Sequence, residues 1–565
     1  MNRRVLLFDS GMASLILGPV LRHVGRDSAT VWVETDASCR VRVLGHEEQT
    51  FEVSGHHYAI VQVHGLEPGT TREYQVHLDG DQVWPLADSD DPPSVIRTVD
   101  PGRPQRITFG SCRFSTQRAV KSVRRFGVDA LEAYAERMRR TPRDGWPDLL
   151  LMLGDQVYAD DTSKQTRERI AQRRDISKPP KAEVADFEEY TWLYHESWGD
   201  PEIRWLMSTV PIAMIFDDHD VHDDWNTSRP WRQEMQATDW WQERITGALM
   251  SYWVYQHLGN LSPAELEADA TYAKVRAAHG QDVAPVLRPF AQAADREADG
   301  AKGYRWSHWR DLGGTRLVVV DSRCGRMLDG TPRSMLSDDE FAWIEEKLEG
   351  DYDHLLIGTS VPWLLSPAMY TIEAWNERMA GHPNPRRARF GEKLRVGSDL
   401  EHWPAFHRSF ERLARMIADV GAGRRGSGDT PATVCVLSGD VHHSYVARAD
   451  YSRWPDVGPV RSHVYQLTCS PVHNWVPTVM NLAFRATWNP TVEHGVRLLL
   501  SNLARVPRPP LRWRRVDRIV FGNAIATLLL EGRAARVVLE SGRADPDDGP
   551  GLATALAVDL ASSRD

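Results

Sequence analysis

The stretch PIAMIFDDHDVHDDWN, Pro211 to Asn226, decides the fold. Its apolar half, Ile212 to Phe216, carries no polar–apolar alternation and reads as a strand buried on both faces. The run breaks abruptly into Asp217, Asp218, His219 and Asp220, and a second polar burst follows at His222, Asp223 and Asp224. Crowding carboxylates at the end of a buried strand is costly, since two unit charges about 4 Å apart repel by roughly 4 kcal/mol at an effective dielectric near 20. A bound cation relieves that repulsion, and carboxylate plus imidazole is a common ligand set. Taken alone, the segment fits a solvated acidic loop at least as well, so the other strands must decide.

They end the same way. Arg106 to Gly110 runs into Ser111-Cys112, and Leu149 to Leu153 into Gly154-Asp155 and then Tyr158. Arg316 to Val320 ends in Asp321-Ser322-Arg323, His354 to Ile357 in Gly358-Thr359-Ser360, and Thr433 to Leu437 in Ser438-Gly439-Asp440 followed by His442 and His443. Between them lie helical stretches, which is the pattern of an α/β layered domain. In such domains ligands bind beyond the carboxyl ends of the strands. The candidate metal ligands are therefore Cys112, Asp155, Tyr158, Asp218, Asp440 and His442. Glycines stand before Asp155 and Asp440, where the backbone must turn tightly. Two ligand clusters sharing a carboxylate make a two-metal site about 3.5–4 Å across, and a thiolate with a phenolate favours a transition metal at one position.

Arg113 and Arg323 are candidates for a bidentate phosphate clamp, although Arg113 reads equally well as a surface salt-bridge partner. Asp217, Asp220, Asp223 and Asp224 read as ligands or as supports for ligands. His222 and His443 read as supporting or structural residues, and Cys39, Cys324, Cys435 and Cys469 as core.

The chain has 565 residues, too many for one ordinary core. Its formal net charge of -10 gives no general attraction to nucleic acid or an anionic membrane, so the expectation is no sequence-specific nucleic-acid binding and no membrane insertion. Residues 1–100 read as a small β-sandwich, from the alternating runs Thr30 to Glu34, Arg40 to Leu44, Tyr58 to Val63 and Glu73 to Leu78. The order Leu66, Pro68, Thr70, Tyr74 resembles the corner before a late strand in fibronectin type III-like modules. Residues 101–545 read as the catalytic domain, with helical insertions between Asp160 and Pro211 and between Asn226 and Ala301, and a further helix from Lys393 to Val420. Arg518 to Leu530 and Ala534 to Glu540 read as a hairpin turning at Gly532, and residues 546–565 as a tail. Five scattered cysteines without CxxC spacing suggest free thiols in a reducing compartment. The apolar stretch after Arg3-Arg4, only Val5 to Phe8, is too short for a signal segment, so a cytoplasmic location is expected.

The ordered motifs GSC at Gly110 to Cys112, GDQVY at Gly154 to Tyr158, FDDHDV at Phe216 to Val221, DSR at Asp321 to Arg323 and SGDVHHS at Ser438 to Ser444 resemble the alkaline phosphatase D (PhoD-like) family of calcineurin-like metallophosphoesterases. The resemblance covers roughly residues 100 to 540, and the N-terminal sandwich resembles the module that precedes the catalytic domain there. It implies a four-layer αββα sandwich holding a dinuclear or trinuclear centre of Fe3+ with Ca2+, with Mn2+ or Zn2+ as substitutes. It also implies that Cys112 and Tyr158 bind the ferric iron, that Asp155 bridges, and that Asp218, Asp440 and His442 complete the sites. Cys112 stands where most calcineurin-like enzymes begin with Asp-x-His. His219 matches the histidine that contacts the phosphoryl group or protonates the leaving oxygen, a role suited to a group titrating near neutrality.

Two features depart from the family pattern: there is no convincing twin-arginine signal, and Phe216 and Asp220 replace the usual Trp and Glu around DDH. The implied activity is hydrolysis of phosphodiesters or phosphomonoesters by a metal-activated water. The alternatives are a catalytically silent, metal-stabilised scaffold, and a hydrolase of carboxylic esters or amides. Oligomeric state is not readable from the sequence.

Overall fold

Side chains alternate across a strand, and that alternation places the layers of this protein. In the computed structural model, which describes residues 12–115, 125–301, 303–329, 333–475, 477–504, 506, 508–545 and 549–563, two mixed sheets pack face to face. From the second sheet Leu317, Val319, Leu356 and Leu437 point into the core shared with Leu151 and Leu153 of the first. Their neighbours Val318, Val320, Leu355, Ile357 and Val436 point outward onto Phe341, Tyr370 and Phe410 of covering helices. Gly358 lies where the sheets approach closely, because a Cβ there would come within 3.2 Å of Leu153 Cδ2. Helix Ala130–Arg140 covers the first sheet and helix His407–Gly421 the second, which completes the αββα order.

The first sheet runs Ile212–Ile215, Leu149–Leu153, Gln105–Gly110, Ala524–Glu531, Ala534–Asp545, Gly549–Ala561. Its first three strands are parallel and the rest antiparallel. The second has the parallel strands Thr315–Val320, His354–Thr359, Thr433–Ser438 and His463–Thr468 at its middle. The carboxyl ends of the parallel strands carry the motifs of the previous section.

Two sequence expectations change here, and a third shifts only at one boundary. Residues 549–561, expected as part of a tail, form the outermost strand of the first sheet and bury Leu556 and Leu560. The stretch Lys393 to Val420 is parts of two helices, Pro385–Val396 and His407–Gly421: the first ends at Gly397, and a short turn, Trp403–Ala405, precedes the second. The hairpin at Gly532 stands, with its first strand beginning at Ala524.

The N-terminal region is all-β and antiparallel, in sheets of order Leu15–Val24, Ser28–Thr35, His56–His64, Phe51–Val53 and His46–Gln49, Arg40–Val43, Val76–Leu78, Asp81–Trp84. Its own core includes Val31, Val33, Val41, Val61, Tyr74 and Trp84. The first strand escaped the sequence reading because Gly18-Pro19 interrupts it; the structure absorbs them as register shifts. Tyr74 OH donates to the Ser208 carbonyl at 2.5 Å, tying this module to the helix Pro201–Thr209. Among the described residues no helix is long and apolar enough to cross a membrane. The segment Arg3 to Phe8 lies outside the described residues.

Candidate metal centre

At the strand ends the chain turns left-handed on the candidate ligands themselves. Cys112 has φ 57°, Asp155 50°, Asp440 68° and His442 49°. Such a conformation costs a non-glycine residue about 1–3 kcal/mol and persists only where the surroundings enforce it. The Cys112 N–H donates to the Gly154 carbonyl at 3.2 Å and that of Arg113 to the Asp155 carbonyl at 3.1 Å, lacing two neighbouring strand ends together. The Asp220 carboxylate accepts the N–H groups of Asp155 at 3.0 Å, Gln156 at 3.2 Å and Asp217 at 2.9 Å, which braces the third. Glycine precedes two ligands for lack of space: a Cβ on Gly154 would lie 2.6 Å from that of Asp217, and one on Gly439 would lie 1.9 Å from Ser111 Oγ.

These turns gather donor atoms into three overlapping groups, each within 4.8 Å: Cys112, Asp155 and His442; Asp155, Asp218 and His219; Asp217, Asp218 and Asp440. Asp155 joins the first two and Asp218 the last two. Tyr158 OH stands 3.4 Å from Asp155 Oδ2 and accepts from Asn474 Nδ2 at 2.8 Å. Ser470 Oγ donates to Cys112 Sγ at 3.2 Å. Two buried carboxylate oxygens, Asp155 Oδ1 and Asp217 Oδ2, have no hydrogen-bond partner, and Asp218 Oδ1 lies 3.2 Å from Arg323 Nη2. Burial, reinforced by the charges of Asp155 and Asp440, pushes the Cys112 thiol well above its usual range. Burial likewise raises Tyr158, beside Asp155 and Cys112. Buried anionic groups without partners need a cation. Thiol, phenol, imidazole and carboxylate together fit a centre of more than one metal ion, with Cys112, Tyr158, Asp155 and His442 on one side and Asp217, Asp218 and Asp440 on the other.

The two arginines are not placed as a phosphate clamp. Arg113 is buried, with Nε 2.8 Å from Asp129 Oδ2 and Nη1 donating to the Ser197 carbonyl at 2.7 Å. Arg323 is fully enclosed among acids, pairing with Asp217, with Asp218 at 3.2 Å, with Glu401 at 2.6 Å and with Asp440 at 3.8 Å. Its positive charge offsets those of the surrounding carboxylates. Asp220 is likewise committed to backbone donors. Asp223 is exposed, while Asp224 is buried and donates its N–H to Asp218 Oδ2 at 3.2 Å. His222 packs among Trp231, Trp240 and Trp241, and His443 stacks on Phe484 at 4.5 Å; neither belongs to a donor group. Cys39, Cys324, Cys435 and Cys469 are buried free thiols.

The structure adds residues that motif reading missed. His402 bridges Asp440 Oδ2 at 2.8 Å and Glu373 Oε1 at 2.6 Å. Asp160 holds His219 Nδ1 at 2.9 Å. Burial opposes charge on His219, but Asp160, Asp218 and Asp155 outweigh it and hold the imidazole well above its usual pKa. The signal for His402 was Pro404, a helix breaker inside a stretch read as helical; Asp160, two residues beyond the GDQVY motif, carried no signal of its own.

The family model of PhoD-like phosphatases matches residues 119–495, and that of a domain of unknown function, DUF7800, matches residues 12–96. No curated protein matches the sequence. Among solved structures, that of PhoD superposes with a TM-score of 0.56 at 11% identity, over 98% of this chain and 92% of its own. A purple acid phosphatase from seeds of yellow lupin (Lupinus luteus) superposes with a TM-score of 0.46 at 11% identity, over 96% and 74%. The PhoD superposition shows the same fold. With residues 119–495 of its 565 matched, the chain belongs to the PhoD-like phosphatase family.

Proposed function

We propose that this protein hydrolyses phosphate monoesters or diesters with water at the centre where Cys112, Asp155, Asp218, Asp440 and His442 converge. The observation that carries this reading is the overlap of the ligand groups at the strand ends, among which the buried Asp155 Oδ1 and Asp217 Oδ2 have no hydrogen-bond partner. The side with Cys112 and Tyr158 suits ferric iron, and the side of Asp217, Asp218 and Asp440 suits calcium, a hard cation that prefers oxygen. When bound, such ions polarise the phosphoryl oxygens and lower the pKa of the attacking water. The protein's own groups do the rest. His219, held protonated by Asp160, donates a proton from Nε2 to the leaving oxygen. His402 and Glu373 fix the orientation of Asp440, as a carboxylate does for a ligating group in many metal sites. Arg323 keeps the acid cluster from repelling an anionic substrate.

The test is hydrolysis of p-nitrophenyl phosphate and bis-p-nitrophenyl phosphate by protein supplied with iron and calcium, alongside elemental analysis. Asp155→Asn should lower kcat/KM at least 100-fold and reduce bound metal. Turnover unchanged in Asp155→Asn, or turnover of p-nitrophenyl acetate with none of either phosphate ester, would reject the proposal.

A further inference from the structure

A second group of donors sits far from these strand ends in sequence, where the N-terminal sandwich meets the helix Phe187–Trp198. Glu34 comes from the strand Ser28–Thr35, His56 from His56–His64 and His195 from the helix. One donor atom from each lies within 4.8 Å of the others. His56 Nδ1 is 3.2 Å and His195 Nε2 is 2.9 Å from the same oxygen, Glu34 Oε1. Two of the three groups are steadied from behind. His56 Nε2 lies 2.7 Å from Glu188 Oε2, and Glu34 Oε2 accepts from Tyr255 OH at 3.0 Å, which in turn pairs with Tyr58 OH at 3.0 Å. A carboxylate behind a ligating imidazole is the usual support of a metal site.

Two imidazoles and one carboxylate are a zinc ligand set. Bonds of about 2.0–2.1 Å in a tetrahedron space neighbouring donors roughly 3.3 Å apart, close to the two separations seen here. Glu34 is 1% exposed, and with Glu188 it contributes two negative charges that a divalent cation balances while both imidazoles stay neutral. We infer that Glu34, His56 and His195 bind a zinc-class divalent cation, with water as fourth ligand, that clips the sandwich to the catalytic domain. Zinc displaces the proton that His56 shares with Glu34 and Glu188, so a proton is released to solvent. The clip reaches toward the phosphoesterase centre, because Ser197, two residues beyond His195, accepts from Arg113 Nη1 at 2.7 Å and donates to the Gln156 carbonyl at 3.1 Å. The inference does not depend on the catalytic reading.

The experiment uses the full chain carrying Asp155→Asn and Asp440→Asn, so that the main centre contributes little, stripped with chelator and titrated with zinc alone. One tightly held equivalent should bind with proton release, read as a dependence of the calorimetric heat on buffer ionisation, and should raise Tm. Cobalt in its place should give the visible absorption of a four-coordinate site. Adding His56→Gln with His195→Gln should abolish that equivalent and the zinc-dependent rise in Tm. Glu188→Gln leaves all three ligands in place, removes only the carboxylate behind His56 and should weaken zinc 10–100-fold, which keeps the test decisive if the double variant fails to fold. No uptake at tenfold excess zinc, or undiminished uptake in the Glu188→Gln or His→Gln variants, would mean an ion-pair network only and overturn the inference.

Discussion

Arg323 is a cation enclosed by Asp217, Asp218, Glu401 and Asp440, and its surroundings hold its own charge firmly. Removing one member of a buried charge group costs about 3–5 kcal/mol, because the partners are left uncompensated. Arg323→Met should therefore lower the unfolding free energy by roughly that amount, as measured by urea titration of metal-free protein. Arg113 tests the opposite assignment. With its guanidinium bound to Asp129 and Ser197, Arg113→Met should destabilise the fold while leaving KM for p-nitrophenyl phosphate unchanged. A tenfold rise in KM with kcat intact would restore it to the phosphate-binding role. His219 makes a third prediction. As the acid for the leaving oxygen it should contribute about 10²–10⁴-fold to kcat on an alkyl phosphate, and much less on p-nitrophenyl phosphate, whose leaving group needs no proton. His219→Asn should show that split with metal content unchanged; an equal loss on both substrates would argue against proton donation.

The turns at the strand ends are the elements that convert a sheet edge into a site. Gly439 packs its Cα against Ser111, whose hydroxyl accepts the Asp440 N–H at 3.2 Å. Gly439→Ala must push the two sheets' ends apart, so it should weaken metal retention in dialysis and cost roughly 1–3 kcal/mol in stability, the usual penalty for overpacking. These turns were legible in the sequence because the signal is local: an apolar run, a glycine, then an acid or a thiol. The parallel order of the strands then carries Cys112, Asp155, Asp218 and Asp440 to one edge. His402 was not legible, since its partners Glu373 and Asp440 come from other elements and only Pro404 hinted that the helix stops. The enclosure of Arg323 was equally hidden, because burial of a charge depends on what the fold stacks around it. Residues 549–561 read as a tail because the Asp/Gly/Pro cluster from Asp545 to Gly551 looks like a loop, and of the strand that follows only Leu556 and Leu560 are buried. Their strand is defined by the neighbour Ala534–Asp545 rather than by their own pattern.

At the scale of the whole molecule, the joint between the sandwich and the larger domain combines a shared apolar core, Trp32 against Trp198 and Tyr255, with an electrostatic part whose sign can be worked out. Burial works against the charge of His56, but Glu188 and Glu34 outweigh it and raise its pKa from 6.5 to about 9. The hydrogen bond from His56 lowers Glu188 from 4.5 to about 2. A pKa raised by folding adds stability that is complete below the unfolded value and is lost as pH rises through the folded one; a lowered pKa works in the opposite direction. The His56 contribution is thus complete below about 6.5 and gone above about 9, and that of Glu188 is complete above about 4.5 and gone near 2. In chelator-treated protein, the Tm difference between wild type and His56→Gln should be largest near pH 6 and should shrink steadily toward pH 9. The groups facing His56 are Glu34, Glu188 and His195, and the variant leaves all three in place. Zinc reverses the slope, because it binds only the neutral imidazole: with zinc present the same difference should widen as pH rises from 6 toward 9. A difference that stays constant with pH in both series would mean that His56 neither gains a proton nor yields it to a metal.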